Sequence, residues 1–197
     1  MIPNTLHTYI QKNSAEMFKL LESLVLIQSS SHNKAGVDAV AQRIAAALAP
    51  VPVACETVAQ ASPGNHLIAR TPAAVNGDPQ ILLVGHMDTV FPADTDFNWY
   101  KEDAVHCYGP GVADMKGGLV AGIFALKALA SADLLADLPL TFVFNSDEEI
   151  GSGSSRALIR QEARRSVFAF VLECGGLNGE IVTGRKGNIA VSLDVKG

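Results

Sequence analysis

Residues 81–88 read ILLVGHMD, a short apolar run followed at once by a histidine and an aspartate. Two later stretches have the same form, LTFVFNSDEE at 140–149 and VFAFVLE at 167–173. Short, continuous apolar runs are typical of strands buried in a parallel sheet. Because ligands bind outside the carboxyl ends of such strands, we expect the polar residues after the three runs to lie at one edge of the sheet.

Helical patterns separate these runs. Apolar residues recur at helical spacing in four segments, 14–27, 36–48, 115–130 and 155–164. Residues 51–58 and 66–70 favour β structure and are separated by Pro63 and Gly64. Apolar runs that alternate with helices predict an α/β domain with a largely parallel sheet, in which the strands 81–84, 140–144 and 167–172 are buried.

Composition excludes several classes of protein. The chain has 197 residues, 48% of them hydrophobic, which is enough for a domain with a sizeable core. The net charge is −5 and lysine and arginine form no basic stripe, so we expect no nucleic-acid partner. No segment reaches the ~20 apolar residues of a membrane span, and no signal peptide is recognisable. Three cysteines without C-x-x-C spacing are expected to be reduced thiols in a cytoplasmic protein.

His86 and Asp88 lie two residues apart, so their side chains point the same way in an extended segment. A neutral imidazole is a good zinc ligand, and a nearby carboxylate can orient it. Asp114 lies in the glycine-rich stretch GPGVADMKGG at 109–118, where its two oxygens could bridge two metal ions. A phosphate-binding loop is disfavoured there, because Asp114 replaces the third glycine of G-x-G-x-x-G and no G-x-x-x-x-G-K-[ST] motif is present.

Three further carboxylates follow the apolar runs. Glu148 and Glu149 come after a predicted strand, where two adjacent carboxylates are unfavourable unless cations compensate them. Their side chains diverge, so one can bind a metal while the other faces a reacting water. Alone, the pair would be interpreted as a solvated acidic turn, but His86, Asp114 and Glu173 at the same sheet edge favour a site. Glu173 ends an apolar run, where a carboxylate is expected to be paired or metal-bound.

The order GHMDTVFP, GPGVADMKGG, NSDEEIGS and an apolar strand ending in glutamate resembles the M20 metallopeptidases. That family includes glutamate carboxypeptidase, aminoacylase, acetylornithine deacetylase and succinyl-diaminopimelate desuccinylase. The resemblance implies a three-layer α/β/α zinc-exopeptidase-like domain with a mostly parallel mixed sheet. It also implies a hydrolase, either a carboxypeptidase or a deacylase, that cleaves the amide bond of peptides or N-acyl amino acids through a zinc-bridged water.

The resemblance also implies roles for individual residues. The expected metal ligands are His86, Asp114, Glu149 and Glu173. Asp114 would bridge two zinc ions, with His86 and Glu173 on one and Glu149 on the other, and Co²⁺ or Mn²⁺ could replace Zn²⁺. Glu148 would be the general base that activates the water, and Asp88 would orient the His86 side of the site. A cis peptide bond is expected between Asp114 and Met115.

Family members are longer than this chain. Residues 1–186 are therefore expected to be the N-terminal part of the catalytic domain, and 187–197 a stub of the first strand of a lid or dimerisation domain. The last zinc-binding histidine would lie beyond the chain. We expect the chain alone to hold at most one zinc ion firmly and to have little or no peptidase activity. The remaining histidines match no ligand position and are expected to be ordinary loop or surface residues: His7, His32, His66 and His106.

Other functions are weighed against this one. The main alternative is a non-catalytic fragment or interaction module that retains one zinc site. A nucleotide-binding domain lacks its phosphate loop here, and a serine hydrolase lacks the G-x-S-x-G elbow. The expected partner is a small substrate, with no nucleic acid or membrane, and a homodimer is compatible with the family. Cys174, where the family often has proline, is expected to be a small buried filler.

Overall fold

The computed structural model of this chain describes residues 4–75, 79–176, 178–184, 187, 189 and 191–196. Its helices are α1 (Asn4–Lys12), α2 (Ser14–Val25), α3 (Lys34–Leu48), α4 (Pro72–Val75), α5 (Gly117–Ser131) and α6 (Arg156–Arg164). Its strands are β1 (Ala54–Val58), β2 (His66–Arg70), β3 (Gln80–His86), β4 (Lys101–Glu102), β5 (Cys107–Tyr108), β6 (Leu140–Asn145) and β7 (Ser166–Val171). A π-helical turn over Val112–Lys116 precedes α5. It is closed by the Lys116 N–H, which donates to the Gly111 oxygen at 2.7 Å, but Asp114 and Met115 within it have non-helical backbone angles.

The main sheet has the strand order β1-β2-β6-β3-β7. β3 pairs in parallel with β6 and with β7, whereas β2 pairs antiparallel with β1 and with β6. The carboxyl ends of β3, β6 and β7 therefore meet at one edge of the sheet, next to the start of β2. β4 and β5 form a separate antiparallel pair. The predicted α/β class with a mixed sheet is confirmed, and its parallel part consists of the three strands named from the sequence.

The helices cover both faces of the sheet, which gives three layers. Leu83 and Phe142 point to one face, where they belong to a large core shared with α2, α3 and α5. Leu82 and Val143, which are adjacent to Leu83 and Phe142 in their strands, point to the other face and pack against α6. This alternation follows from the period of two in a strand. Each such side chain contributes about 1.5–3 kcal/mol when it is fully buried.

The start of α5 lies very close to the segment that follows β7. A Cβ atom built on Gly118 would lie 1.8 Å from the main-chain oxygen of Leu172, and one on Gly122 would lie 2.6 Å from the Leu172 side chain. Only glycine permits this approach of helix to strand. The contact fixes the position of the chain immediately before Glu173.

β7 differs from the prediction of a buried strand, which was wrong for this chain. Phe168 is 63% exposed and Val171 is 62% exposed, and the residues between them are exposed as well. β7 is the last strand in the sheet order, and among the described elements only β3 pairs with it. The apolar composition of β7 predicts a buried strand, but it does not indicate which element would pack against it.

The described residues beyond β7 form no helix or strand. The predicted strand over 187–197 falls partly on residues 188, 190 and 197, which lie outside the described part of the chain. The assignment of that segment to a second domain therefore stays a prediction. Within the described ranges, no helix is both long enough and apolar enough to cross a bilayer.

Candidate metal centre

Five acidic and imidazole side chains converge at the edge where the parallel strands end. His86 is the last residue of β3, Glu148 and Glu149 follow β6, and Glu173 follows β7. Asp114 comes from the π-helical turn before α5, and the peptide bond after it is cis, as the resemblance implied. The structure thus brings these side chains together, while their individual roles stay predictions.

The His86 ring lies at the centre of this cluster. Its Nε2 atom is 2.9 Å from Asp114 Oδ1, 3.4 Å from Glu173 Oε1 and 3.9 Å from Glu148 Oε2. Potential ligand atoms within 4.8 Å of one another form two groups, and both include His86. One group adds Asp114 and Glu149, and the other adds Glu148 and Glu173. Among the described side chains, His86, Asp114 and Glu173 do not form one such compact group.

The cluster carries more negative charge than its one imidazole can balance. Burial opposes a charge on His86, but Asp88 and Glu173 outweigh it through hydrogen bonds and charge and raise the pKa of His86 to about 11. Burial and the surrounding carboxylates raise the pKa values of Glu148 and Glu149, although the charge of His86 partly offsets this. Imidazole and carboxylate donors with this excess of negative charge fit a divalent cation such as Zn²⁺.

The other ring nitrogen of His86 is held by the main chain. Nδ1 lies 2.9 Å from the backbone oxygen of Asp88 and 3.4 Å from its carboxylate Oδ1. Donation from Nδ1–H to that backbone oxygen directs Nε2 towards the carboxylates, which is the usual way of orienting a metal-binding histidine. His86 is almost fully buried, so few other orientations are open to the ring.

The Asp88 carboxylate makes most of its contacts with the loop after β6. It accepts hydrogen bonds from the backbone N–H groups of Glu148 and Glu149, each at 3.2 Å, and from the Ser31 hydroxyl at 2.7 Å. Asp88 itself is fully buried. Asp88 was expected to orient His86. The geometry adds that its carboxylate also holds the main chain of Glu148 and Glu149.

Sequence reasoning missed Lys116, which is almost fully buried. Its Nζ atom donates to the backbone oxygens of Leu24 at 2.9 Å and Ile27 at 3.1 Å, at the end of α2. These bonds tie the turn that carries Asp114 to a neighbouring helix. Burial lowers the pKa of Lys116 to about 7. The only available signal was a lysine placed directly before the apolar pattern of α5.

Two expectations about other residues were wrong. His66 is 1% exposed and is hydrogen-bonded within the protein, whereas we expected a loop or surface histidine. Burial lowers the pKa of His66, although Asp147 opposes this effect. Cys174 is exposed and not a buried filler, because it lies beyond the end of β7. The other three histidines outside the site are exposed, as expected: His7, His32 and His106.

Comparison with known proteins finds relatives whose sequences match most of this chain. The family model described as "Peptidase family M20/M25/M40" matches residues 82–194. Carboxypeptidase G2 of Pseudomonas sp. (strain RS-16) is 30% identical over 188 residues, which are 92% of this chain and 44% of the relative. Succinyl-diaminopimelate desuccinylase of Pseudoalteromonas atlantica is 30% identical over 197 residues, covering 93% of this chain and 50% of that protein. The chain spans about half the length of the curated relatives it matches.

Solved structures share the fold. Human carnosine dipeptidase 1 superposes with a TM-score of 0.69 and 21% sequence identity, over 85% of this chain and 40% of that chain. The dipeptidase Dug1p from Saccharomyces cerevisiae also has a TM-score of 0.69, with 20% identity over 85% of this chain and 40% of that chain. Both structures share with this chain the fold described above, in which helices pack on a mixed sheet.

Proposed function

The chain belongs to peptidase family M20/M25/M40, and from that membership we propose that it carries part of the active site of a zinc-dependent amide hydrolase. The substrate would be a peptide or an N-acyl amino acid, which are the classes that the names of the relatives indicate. One observation carries the proposal. His86 and four carboxylates from separate parts of the chain converge at the carboxyl edge of the sheet.

Four residues are proposed as metal ligands: His86, Asp114, Glu149 and Glu173. An imidazole nitrogen and carboxylate oxygens are suitable ligands for Zn²⁺ and also for Co²⁺ or Mn²⁺. When bound, the metal would polarise the scissile carbonyl and make a water molecule more acidic. Both compact groups of potential ligands contain His86, and its Nε2 can ligate one ion. This favours a single firmly held metal in this chain, a property that a non-catalytic module would share.

Glu148 is proposed as the general base. Its carboxylate lies 3.9 Å from the ring of His86 and is half-exposed, so it can reach both the site and solvent. Burial and neighbouring carboxylates raise the pKa of Glu148. A raised pKa suits a group that takes a proton from water and then gives it to the leaving amine.

We also propose that residues 187–197 begin a second domain. The apolar residues of this segment alternate along the chain and are largely exposed: Ile189, Val191, Leu193 and Val195. Alternation with a period of two is typical of a strand with one buried face. If lid residues and a further histidine complete the site in the whole protein, residues 1–197 alone should hydrolyse N-acyl amino acids poorly or not at all.

Metal binding tests the proposal most directly. Equilibrium dialysis with Zn²⁺ should give about one firmly bound ion for the unaltered chain, with His86→Ala losing it. His106→Ala is the matched control, because that histidine is exposed and distant in sequence from the cluster. Equal zinc binding by the His86→Ala protein would refute the proposed centre. Glu148→Gln should retain the metal and abolish any hydrolysis that the chain shows.

A further inference from the structure

A second group of polar side chains lies behind the loop that carries Glu148 and Glu149. It consists of His66, Ser146, Asp147 and Ser154, which we call the His66 network. His66, Ser146 and Asp147 are at most 1% exposed, and Ser154 is partly buried. Within the described structure, no side-chain hydrogen bond of this network reaches a proposed metal ligand. The network is therefore separate from the contacts that form the metal centre.

The sheet brings His66 to this position. β2 runs antiparallel to β6, with Leu67 paired to Phe144. His66 therefore begins β2 at the point where β6 ends and the loop with the glutamates begins. Ser146 is the first residue after β6, so the imidazole and this hydroxyl meet directly.

The imidazole joins the two ends of that loop. Its Nδ1 atom lies 2.9 Å from the hydroxyl oxygen of Ser146, and its Nε2 atom lies 3.2 Å from that of Ser154. The Ser146 hydroxyl donates to the backbone oxygen of Gly64, so its oxygen is left to accept from Nδ1–H of His66. One ring thus crosslinks residues 146 and 154, and Glu148 and Glu149 lie between them.

Asp147 also connects the two ends of this loop. Its Oδ2 atom accepts the Ser154 backbone N–H at 2.6 Å and the Ser155 N–H at 3.2 Å, and it lies 2.8 Å from the Ser154 hydroxyl, whose one proton is donated either to this carboxylate or to Nε2 of His66. Its backbone oxygen accepts the N–H of Ser152 at 2.7 Å. These contacts hold the far end of the loop against its start.

The loop is consequently held from two sides. On the metal side, the Asp88 carboxylate accepts the backbone N–H groups of Glu148 and Glu149. On the opposite side, the His66 network fixes the ends of the loop. Asp88 alone leaves the loop free to pivot about its two hydrogen bonds, whereas a second anchor removes that freedom.

We propose that His66 is a positioning residue, which acts through Ser154 and Asp147 to hold Glu148 and Glu149 in the geometry for metal binding and proton transfer. This inference rests on the proposed function of the two glutamates. Ligands and bases work only when supporting contacts hold them within a fraction of an ångström of their productive positions.

Two variants separate positioning from packing. His66→Phe keeps a ring of similar size and removes both hydrogen bonds, and Ser154→Ala removes only the hydroxyl that lies between the ring and Asp147, while the backbone N–H bonds to Asp147 remain. Loss of supporting partners of a metal ligand typically weakens metal affinity by about 10–100-fold, and here we expect about tenfold for Zn²⁺ in a chelator competition. His66→Gln, whose amide can reach Ser154, should recover part of that loss. His32→Phe, at an exposed position, is the matched control and should leave the affinity unchanged.

Amide hydrogen exchange gives a readout that does not depend on zinc. The backbone N–H groups of Glu148 and Glu149 should exchange about tenfold faster in His66→Phe and in Ser154→Ala than in the unaltered chain. Unchanged exchange in a folded variant, or unchanged zinc affinity where the unaltered chain binds zinc, would overturn the proposal. If the unaltered chain binds no zinc, the proposed function fails, and the exchange rates still decide whether His66 holds the loop. If His66→Phe does not fold, Ser154→Ala decides by the same two measurements.

Discussion

Replacement of Asp88 by alanine tests the assignment of its carboxylate to the glutamate loop. The variant removes the acceptor of three hydrogen bonds, from the N–H groups of Glu148 and Glu149 and from the hydroxyl of Ser31. It does not remove the acceptor of His86 Nδ1, because that is the backbone oxygen of residue 88. The loop should therefore loosen while the His86 ring keeps its orientation.

The expected loss of stability follows from these contacts. A hydrogen bond to a charged acceptor contributes about 1.5–3 kcal/mol, and the two bonds at 3.2 Å belong at the lower end of that range. Removal of the Asp88 carboxylate also relieves its repulsion with the neighbouring carboxylates, which offsets part of the loss, and removes its attraction to the protonated His86 ring, which adds to it. We therefore expect the free energy of unfolding to fall by about 3 kcal/mol. For a domain of this size, that corresponds to a Tm lower by about 6–12 °C.

Urea and thermal unfolding of the metal-free proteins measure this change. Asp94→Ala is the control, since Asp94 is an exposed carboxylate six residues further along the chain, and it should alter stability by less than about 0.5 kcal/mol. Ring ¹⁵N spectra of the Asp88→Ala protein should still show a proton on Nδ1 of His86. Unchanged stability, or loss of the Nδ1 proton, would refute our account of how Asp88 acts.

Three further predictions concern pH, an ion pair and a glycine. The metal-free chain should be more stable at about pH 6 than at about pH 10, because His86, with its pKa raised from 6.5 to about 11, keeps a proton that the unfolded chain releases. This stabilisation is complete below pH 6.5 and is lost as the pH rises towards 11. In urea titrations, the free energy of unfolding should change by at most about 1.4 kcal/mol per pH unit. Saturating Zn²⁺ should abolish this pH dependence. Arg70→Met should lower the free energy of unfolding by about 3 kcal/mol, because it leaves the buried Glu162 carboxylate without the cation 2.7 Å away. Glu56→Ala, which breaks only the exposed contact of the same arginine, should change it by less than about 1 kcal/mol in the same unfolding assay. Gly118→Ala should lower Tm and weaken zinc binding in dialysis together, since its Cβ would lie 1.8 Å from a main-chain oxygen next to the site.

The sequence predicted the elements whose signal is local. The apolar runs at 81–84 and 140–144 became β3 and β6, and the pattern over 36–48 became α3 with two more residues at its start. α1 was not predicted; none of its residues is fully buried, and only Tyr9 and Ile10 pack partly against the core. The pattern over 115–130 began too early, because residues 112–116 form the π-helical turn that carries Asp114.

Burial that depends on a distant partner could not be predicted. His66 looked like an ordinary histidine because its contacts, Ser146 and Ser154, lie about eighty residues further along the chain. Lys116 is buried for a similar reason, since the oxygens that accept its hydrogen bonds belong to Leu24 in α2 and to Ile27 just beyond it. In both cases the polar group is tolerated inside the protein only because specific acceptors surround it, and no local pattern encodes those acceptors.

The candidate ligands are not held equally firmly by the surrounding protein, which affects how each would be positioned when a metal binds. Glu149 belongs to a loop held by the Asp88 carboxylate, and His86 is held by the Asp88 main chain, so both are in place before a metal arrives. Glu173 follows an exposed edge strand. The residue before it, Leu172, donates its N–H to the oxygen of Val84 at 2.9 Å and lies close to Gly118. If these residues bind a metal as proposed, the metal orders Glu173 more than the other two, and this ordering reduces the affinity. An element that covered β7 would hold Glu173 in advance, and it would tighten metal binding without contributing a ligand of its own.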